Sequence, residues 1–298
     1  MALPLSPINR ALIVILMAAW GTRCAPSTTA GTPPTTTGAI IVNKGSDTMV
    51  NLALAWAEAY QEQRPDVQIS VTGGGSGTGI AALINGTVDI ANASRQMKAD
   101  EIAEAEANGV RPVEFVVARD AIAIVVNPAN PVSQLTIDRL SDIYSGLINN
   151  WAELGGEDRP IVRLSRETNS GTHVYFLEQV LRKGESADKT LFAPETLLLP
   201  SSEGISAEIR QNPNAIGYDG LGYVTEGMKV VAVGRIEGGP FVLPSAETVD
   251  SLAYPIARDL YMYTAGEPQG EVKAYLSWIL GRRAQEIVSE LGFVPALP

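Results

Sequence analysis

Short apolar runs alternate with helical patterns along most of the chain, and this alternation restricts the fold more than any other feature. An apolar run at residues 40–42 leads through a small-residue turn to apolar side chains at helical spacing in residues 52–60. The same order returns at residues 67–71 and 80–84, on either side of a glycine-rich stretch. Alternating strand and helix patterns predict an α/β protein with mainly parallel sheets.

The middle of the chain predicts a division into two lobes. With 298 residues, the chain is long enough to bury a full core and still divide. Two asparagine–proline pairs between residues 127 and 131 follow an apolar run, and such pairs mark a turn or a crossing between lobes. We predict a first lobe of residues 39–122 plus 256–298 and a second lobe of residues 123–255.

Residues 1–23 have the pattern of an export signal. Arg10 precedes an apolar run that ends at Trp20 and is shorter than the ~20 residues needed to span a bilayer. The single cysteine of the chain, Cys24, follows this segment and predicts lipid attachment after the signal is removed, with ordinary secretion as the alternative. Residues 24–38 are rich in Pro, Thr and Ser, which predicts a flexible tether to a membrane surface.

The charge balance excludes several classes of protein. The net charge is -11, and no basic stripe of the kind that binds nucleic acid is present, so we expect no nucleic-acid partner. One cysteine and one histidine exclude a disulfide framework and argue against a Cys/His metal cage, and we expect no metal and no cofactor. Removal of residues 1–23 takes away two of the 22 basic residues and none of the 33 acidic ones, which gives 20 − 33 = -13. Anion capture would therefore depend on short-range hydrogen bonds.

Three turns of similar composition each follow a strand pattern and precede a helical pattern. The first N–H groups of a helix have no intrahelical partner, and the helix dipole adds about half a positive charge at that end. Glycine lets the backbone approach a ligand closely, and serine and threonine hydroxyls add donors. Such turns can bind an anion without a formal cation. The three turns are Gly45-Ser46-Asp47-Thr48, Gly75-Ser76-Gly77-Thr78 and Asn169-Ser170-Gly171-Thr172.

The number of these turns favours an oxyanion-binding site. Any one of them is more often a simple helix cap, because Ser and Thr are preferred at that position. Three together, in a chain without other evident chemistry, favour binding. Arg166 lies four residues before Ser170 and could clamp an oxyanion with two parallel hydrogen bonds. Arg95 ends another predicted strand and could act in the same way.

Several stretches, taken jointly, resemble the PstS family, the phosphate-binding proteins of bacterial ABC-type phosphate uptake systems. The similarity covers most of residues 40–293. The stretches that carry it, besides the three turns, are Gly73 to Gly79, Ile84-Asn85-Gly86-Thr87-Val88-Asp89-Ile90, Asn92-Ala93-Ser94-Arg95, Leu140-Ser141-Asp142-Ile143-Tyr144-Ser145-Gly146, Asn150-Trp151, Ala215-Ile216-Gly217-Tyr218 and Gly222-Tyr223.

The resemblance implies a type II periplasmic-binding-protein fold, in which two α/β lobes joined by crossover strands close on inorganic phosphate by a hinge motion. It also implies a monomer that passes phosphate to ABC permease subunits in the membrane and does not act as an enzyme. The family's phosphate contacts fall on Thr48, Met49, Ser76, Arg95, Arg166, Ser170, Gly171 and Thr172. We add the neighbouring Ser46 and Thr78 to this predicted set.

One position departs from the family pattern. Some members have an aspartate where this chain has Arg95, and that carboxylate accepts a proton from phosphate and helps to exclude sulfate. Asp47 could take this role, or it could serve as a capping acid in the first turn of a helix.

The other functions open at this point are a binding protein for sulfate or molybdate and a sensing or adhesion protein on the same fold. An enzyme is disfavoured, because the glycine-rich loop lacks the Gly-Lys-Ser/Thr ending of a P-loop and Ser170 is not in a nucleophile elbow. His173 is expected to have a structural role and to be partly exposed.

Overall fold

One long strand, β4, runs through the middle of the fold and determines its layout. The computed structural model describes residues 38–296. The strands are β1 (Ala39–Gly45), β2 (Val67–Thr72), β3 (Ile90–Ala93), β4 (Pro112–Val126), β5 (Gln134–Thr136), β6 (Val162–Arg166), β7 (Leu197–Leu199), β8 (Ala215–Gly220), β9 (Lys229–Gly234), β10 (Phe241–Val242), β11 (Ala257–Ala265) and β12 (Val294–Pro295). The helices are α1 (Val50–Gln63), α2 (Ser76–Ile84), α3 (Ala99–Ala107), α4 (Ile137–Ser145), α5 (Gly171–Phe176), α6 (Ser202–Gln211), α7 (Ala246–Asp250), α8 (Gly270–Ile279) and α9 (Arg282–Glu290).

Residues 112–121 of β4 pair with β11, and residues 122–126 pair with β8 and β9. The main path of the sheet runs β2-β1-β3-β11-β4-β8-β6-β7. We call the β2-β1-β3-β11 part, with the helices packed on it, the first lobe, and the β8-β6-β7 part, with its helices, the second lobe. Because β4 belongs to both parts, it holds the two lobes together through continuous backbone hydrogen bonds.

The sheet is mixed, and the expectation of mainly parallel pairing was wrong. β1 pairs in parallel with β2 and β3, and β6 pairs in parallel with β7 and β8. β11, in contrast, is antiparallel to both β3 and β4, and β4 is antiparallel to β8. The chain enters the second lobe along β4 and returns through β11, so these connecting strands run in opposite directions.

The core of the first lobe lies between the sheet and α1, α8 and α9. Leu52 and Trp56 on α1 are fully buried and pack with Tyr275 of α8 and Ile287 of α9. The indole N–H of Trp56 donates to the carbonyl of Ala284 at 2.9 Å, which satisfies the polar atom of this buried ring. This core supports the carboxyl ends of β1 and β2, which lead into the first two small-residue turns.

The core of the second lobe is rich in aromatic side chains. The rings of Phe176 and Tyr218 stack at a centroid distance of 3.7 Å, and Tyr144 meets both rings edge-on. The hydroxyl of Tyr144 donates to the carbonyl of Leu164 at 3.1 Å. Phe176 ends α5, so this packing fixes the helix that carries the third small-residue turn.

The predicted export signal, Cys24 and all of the predicted tether except Gly38 lie outside the described residues. Among the helices of residues 38–296, none combines the length and the apolar character that a bilayer crossing requires.

His173, the one histidine of the chain, is buried rather than partly exposed. Its Nδ1 lies 3.0 Å from Ser165 Oγ, and its ring lies 4.6 Å from that of Phe192. Burial lowers the pKa of His173 to about 4, because a charged imidazole would lose its hydration there. The buried imidazole is therefore neutral at pH 7, in agreement with the expected structural role.

The depressed pKa of His173 gives a pH-dependent stability. The folded protein holds the imidazole neutral, so the corresponding stability is present above pH ~6.5 and is lost as the pH falls toward 4, by about 2–3 kcal/mol. NMR titration of the single histidine should give a pKa near 4, and His173→Gln should flatten the pH dependence of unfolding between pH 4 and 6.5. A histidine titration near pH 6.5 in the folded protein would contradict this reading.

Candidate functional site

The second and third small-residue turns contact each other directly across the two lobes. The N–H of Gly77 donates to the carbonyl of Asn169 at 3.0 Å, and Asn169 Nδ2 donates to the carbonyl of Gly74 at 2.8 Å. Gly75 has a φ of +90°, and a side chain there would lie 2.8 Å from the Asn169 carbonyl oxygen. Glycine is required at this position both for the backbone conformation and for the approach of the opposite lobe.

The first and third turns also meet. Thr48 Oγ1 of the first lobe lies 2.8 Å from Thr172 Oγ1 of the second, and both side chains are buried. Thr48 follows β1 through a 3-10 turn, and Thr172 is in the first turn of α5. Residues 124 positions apart in the chain thus bring two hydroxyls to one point.

A second pair of buried hydroxyls lies beside the third turn. Ser76 Oγ accepts from the N–H of Ser94 at 3.0 Å and lies 3.3 Å from Ser94 Oγ. A Cβ on Gly171 would overlap both hydroxyl oxygens, so a residue with a side chain cannot occupy position 171 without displacing the second lobe. Ser94 was not among the predicted site residues, although it adjoins the predicted Arg95.

Four other predicted site residues, all in or next to the turns, make different kinds of contact. Ser170 Oγ accepts from the N–H of Thr172 at 3.2 Å and is therefore the cap of α5. Thr78 Oγ1 accepts from Asn169 Nδ2 at 3.3 Å. The buried Ser46 donates its N–H to the carbonyl of Asn92, and the side chain of Met49 packs in the core of the first lobe.

Arg166 joins the lobes through an ion pair with Asp47. Arg166 is 1% exposed, and its Nη2 lies 2.8 Å from Asp47 Oδ2. The same arginine donates to Ser202 Oγ at 2.9 Å and to the carbonyls of Leu199 and Pro200. The other oxygen of Asp47 accepts from the N–H of Gly74 at 2.9 Å. Asp47 thus links the first two turns to the arginine of the opposite lobe.

Arg95 lies at the edge of the second turn and is paired with Glu101. Its guanidinium makes two bonds to that carboxylate, at 2.6 and 2.7 Å, and one to the carbonyl of Gln96. Burial raises the pKa of Glu101, but the bonds from Arg95 and from the N–H of Lys98 outweigh this and hold the pKa below its usual value. The charge of Arg95 is therefore balanced within its own lobe.

A third buried arginine, Arg258 of β11, was missed by the sequence reasoning. It lies opposite Asp120 in the antiparallel pairing of β11 with β4, and its Nη2 is 2.9 Å from Asp120 Oδ2. Both side chains are almost fully buried. Burial raises the pKa of Asp120, although Arg258 and the N–H of Leu221 act in the opposite direction. The sequence did contain a signal for this pair, because Asp120 and Arg258 are charged residues within strand patterns that are otherwise largely apolar.

Asp219, at the end of β8, adds a further buried carboxylate. Its Oδ1 accepts from Ser202 Oγ and from the N–H of Gly220, both at 2.8 Å, and its Oδ2 has no hydrogen-bond partner among the described residues. Burial raises its pKa to about 6, with Arg166 opposing the shift. The Gly220 backbone packs against Thr48, which places this carboxylate close to the meeting point of the turns.

A cavity of about 430 Å³ opens beside these turns. Its walls come from both lobes and include the cations Arg95, Lys98 and Arg258 and the aromatic side chains Tyr175 and Tyr261. No group of His, Cys, Asp and Glu side chains in residues 38–296 has the arrangement of a metal site. The chemistry available here is hydrogen bonding from hydroxyls, backbone N–H groups and guanidinium groups.

Comparison with known proteins decides the family. The family model for the PBP superfamily domain matches residues 28–283. The phosphate-binding protein PstS of Pseudomonas aeruginosa is 34% identical over 268 residues, which cover 84% of this chain and 81% of that protein. The chain belongs to the PstS family of phosphate-binding proteins.

Further PstS relatives agree with this assignment. The phosphate-binding protein PstS of Bacillus subtilis is 36% identical over 252 residues, covering 84% of this chain and 79% of that protein. A phosphate ABC transporter substrate-binding protein from Clostridium perfringens, solved with bound phosphate, superimposes with a TM-score of 0.77 at 31% identity and covers 86% of this chain and 99% of that one. The predicted two-lobe periplasmic-binding-protein fold is confirmed.

The ion pair between Asp47 and Arg166 should favour the closed arrangement of the lobes. Asp47→Asn keeps an acceptor for Gly74 but leaves the buried guanidinium without a counter-charge, which water in an opened cleft would relieve. We expect a larger radius of gyration for the ligand-free variant in small-angle X-ray scattering. Asp66→Asn, which breaks an exposed pair with Arg64, is the control and should leave the radius unchanged. Equal radii of gyration for the wild type, Asp47→Asn and Asp66→Asn would contradict the proposal that this ion pair favours the closed arrangement.

Proposed function

We propose that this chain is the substrate-binding component of an ABC phosphate importer and that it holds inorganic phosphate between its two lobes. The observation that carries this proposal is the 2.8 Å contact between the hydroxyls of Thr48 and Thr172, which come from opposite lobes and from two of the three small-residue turns. Membership of the PstS family, whose relatives are named for phosphate binding, supports the choice of anion.

The proposed phosphate ligands are donors of three kinds. The hydroxyls of Thr48, Ser76 and Thr172 are buried where the lobes meet, and backbone N–H groups of the turns add donors that need no counter-charge. Arg166 contributes positive charge, although Asp47 shares it. The complete predicted set is Ser46, Thr48, Met49, Ser76, Thr78, Arg95, Arg166, Ser170, Gly171 and Thr172.

We propose that residues 39–122 and 256–298 form the first lobe and that residues 123–255 form the second. The change of pairing partner along β4 between Ala121 and Ile122 supports the first crossing, and the start of β11 at Ala257 supports the second. A hinge at these strands would let the turns separate to admit phosphate and then close on it.

Binding without catalysis is proposed for this chain. Ser165 Oγ lies 3.0 Å from His173 Nδ1, as in a nucleophile–base pair, but Ser165 also lies 2.6 Å from the Tyr218 hydroxyl and is fully buried. An imidazole with a pKa near 4 is a weak base at pH 7. These contacts suit a structural network in the aromatic core.

Export and membrane attachment complete the proposal. We propose that residues 1–23 direct export and that Cys24 carries a lipid, with residues 24–38 as the tether. The support is the order of Arg10, an apolar run and a lone cysteine. A tethered monomer of this kind could deliver phosphate to permease subunits in the same membrane.

Removal of one buried hydroxyl should weaken phosphate binding. Thr172→Val keeps the shape of the side chain but loses one hydrogen bond to a charged ligand, at a cost of about 1.5–3 kcal/mol, or roughly 10- to 150-fold in Kd. Isothermal titration calorimetry with inorganic phosphate measures this directly. Ser186→Ala, on an exposed loop, is the matched control and should bind like the wild type.

The same titration separates phosphate from other oxyanions. The proposal requires the wild-type protein to bind phosphate and Thr172→Val to bind it more weakly. Tight binding of sulfate or molybdate without binding of phosphate would make the chain a binding protein for a different oxyanion. An unchanged phosphate Kd in Thr172→Val would remove the hydroxyl from the ligand set.

A further inference from the structure

We infer that Arg258 is a direct ligand of the bound anion and is the cation placed between the lobes for that purpose. This inference rests on the proposed function of the same site. It adds an anion ligand from β11, a strand that contributes none of the three small-residue turns.

The guanidinium of Arg258 is directed at the two hydroxyls that meet across the cleft. Nη2 lies 3.0 Å from Thr172 Oγ1 and 3.4 Å from Thr48 Oγ1. An anion that binds both hydroxyls must therefore lie within reach of the same nitrogen. The contact spans the lobes, because Arg258 and Thr48 belong to the first lobe and Thr172 to the second.

Asp120 and Ser94 hold the guanidinium in this position. Asp120 Oδ2 accepts from Nε at 3.3 Å and from Nη2 at 2.9 Å, and the carbonyl of Ser94 accepts from Nη1 at 3.0 Å. These bonds use the N–H of Nε, one N–H of Nη2 and one N–H of Nη1. The second N–H of Nη1 and the N–H directed at the threonine hydroxyls remain for a ligand.

The other two arginines near the turns bond to groups other than the two threonine hydroxyls. Arg166 donates to Asp47, Ser202 and two backbone carbonyls. Arg95 bonds to both oxygens of Glu101 and to the carbonyl of Gln96, and its Nε has no hydrogen-bond partner among the described residues. Among the three, only Arg258 donates to hydroxyls from both lobes, so its charge is the one best placed to meet an anion at their junction.

A purely structural explanation accounts poorly for this pair. Burial of an arginine and an aspartate costs several kcal/mol per ion, and apolar residues of similar volume often stabilise such a site equally well. The pair lies where the lobes meet, and this position suits anion binding. Charge-assisted hydrogen bonds from Arg258 to an anion would offset part of the free energy of burying the two charges.

The neighbouring cavity gives an anion a path to Arg258. Arg258 lines the cavity of about 430 Å³ together with Arg95 and Lys98. Tyr175 also lines the cavity and lies against Arg258, with its ring centroid 5.8 Å from the guanidinium carbon and its hydroxyl donating to the carbonyl of Ala257 at 2.6 Å. The carboxylates of Glu178 and Asp259 also line this cavity, so an anion would approach Arg258 along walls of mixed charge.

The test removes both charges of the pair together, so that no unpaired ion is left buried. Arg258→Gln with Asp120→Asn retains hydrogen-bonding groups, including an acceptor for the N–H of Leu221. Arg163→Gln is the control, because Arg163 is a buried arginine that bonds to the carbonyls of Ile143 and Ile148 and to Asn149 rather than to the turns. Each protein is titrated with inorganic phosphate by calorimetry after its fold is checked by circular dichroism.

We expect the double variant to bind phosphate about 100-fold more weakly than the wild type, and Arg163→Gln to stay within about 10-fold of the wild type. A folded double variant with wild-type affinity would overturn the inference, as would an equal loss in Arg163→Gln. A wild-type protein that does not bind phosphate would instead refute the proposed function.

A measurement on the wild-type protein keeps the inference testable even if the double variant does not fold. Phosphate should shift the NMR signals of the Arg258 guanidinium and slow its rotation, because a bound anion fixes its N–H groups. Unchanged Arg258 signals at saturating phosphate would overturn the inference.

Discussion

Each of the three arginines near the small-residue turns is balanced by a carboxylate, and this balance determines how the site can bind an anion. Arg166 pairs with Asp47, Arg258 with Asp120, and Arg95 with Glu101. The chain as a whole is acidic, so no long-range field gathers anions around it. Attraction has to come from hydroxyls and N–H groups fixed at short range in a site of low dielectric, where each hydrogen bond is strong.

The same contacts connect binding to the movement of the lobes. Asp47 receives the N–H of Gly74 in its own lobe and the guanidinium of Arg166 from the other. Gly77 and Asn169 add a backbone bond between the lobes, and Gly171 leaves room for the hydroxyls of the first lobe. Because β4 runs unbroken through both parts of the sheet, a hinge at the strands could separate the turns without breaking the sheet.

Local sequence signals predicted the turns well and predicted their partners poorly. The cap of α5 by Ser170 and the positions of the three turns follow from residue type and from the change of period around them. The pairing of Arg258 with Asp120 does not, because it depends on the register of two antiparallel strands 138 residues apart. The mixed sheet was missed for the same reason, since period-2 patterns do not reveal strand direction. Family resemblance located Arg95 and Arg166 but could not show that Glu101 and Asp47 share their charge.

A crystal structure of the protein grown with phosphate tests the central claim most directly. The account predicts a tetrahedral anion between the lobes, with oxygens about 3 Å from the hydroxyls of Thr48 and Thr172. Phosphate bound on an outer face of either lobe, with the contact between those two hydroxyls unaltered, would contradict it.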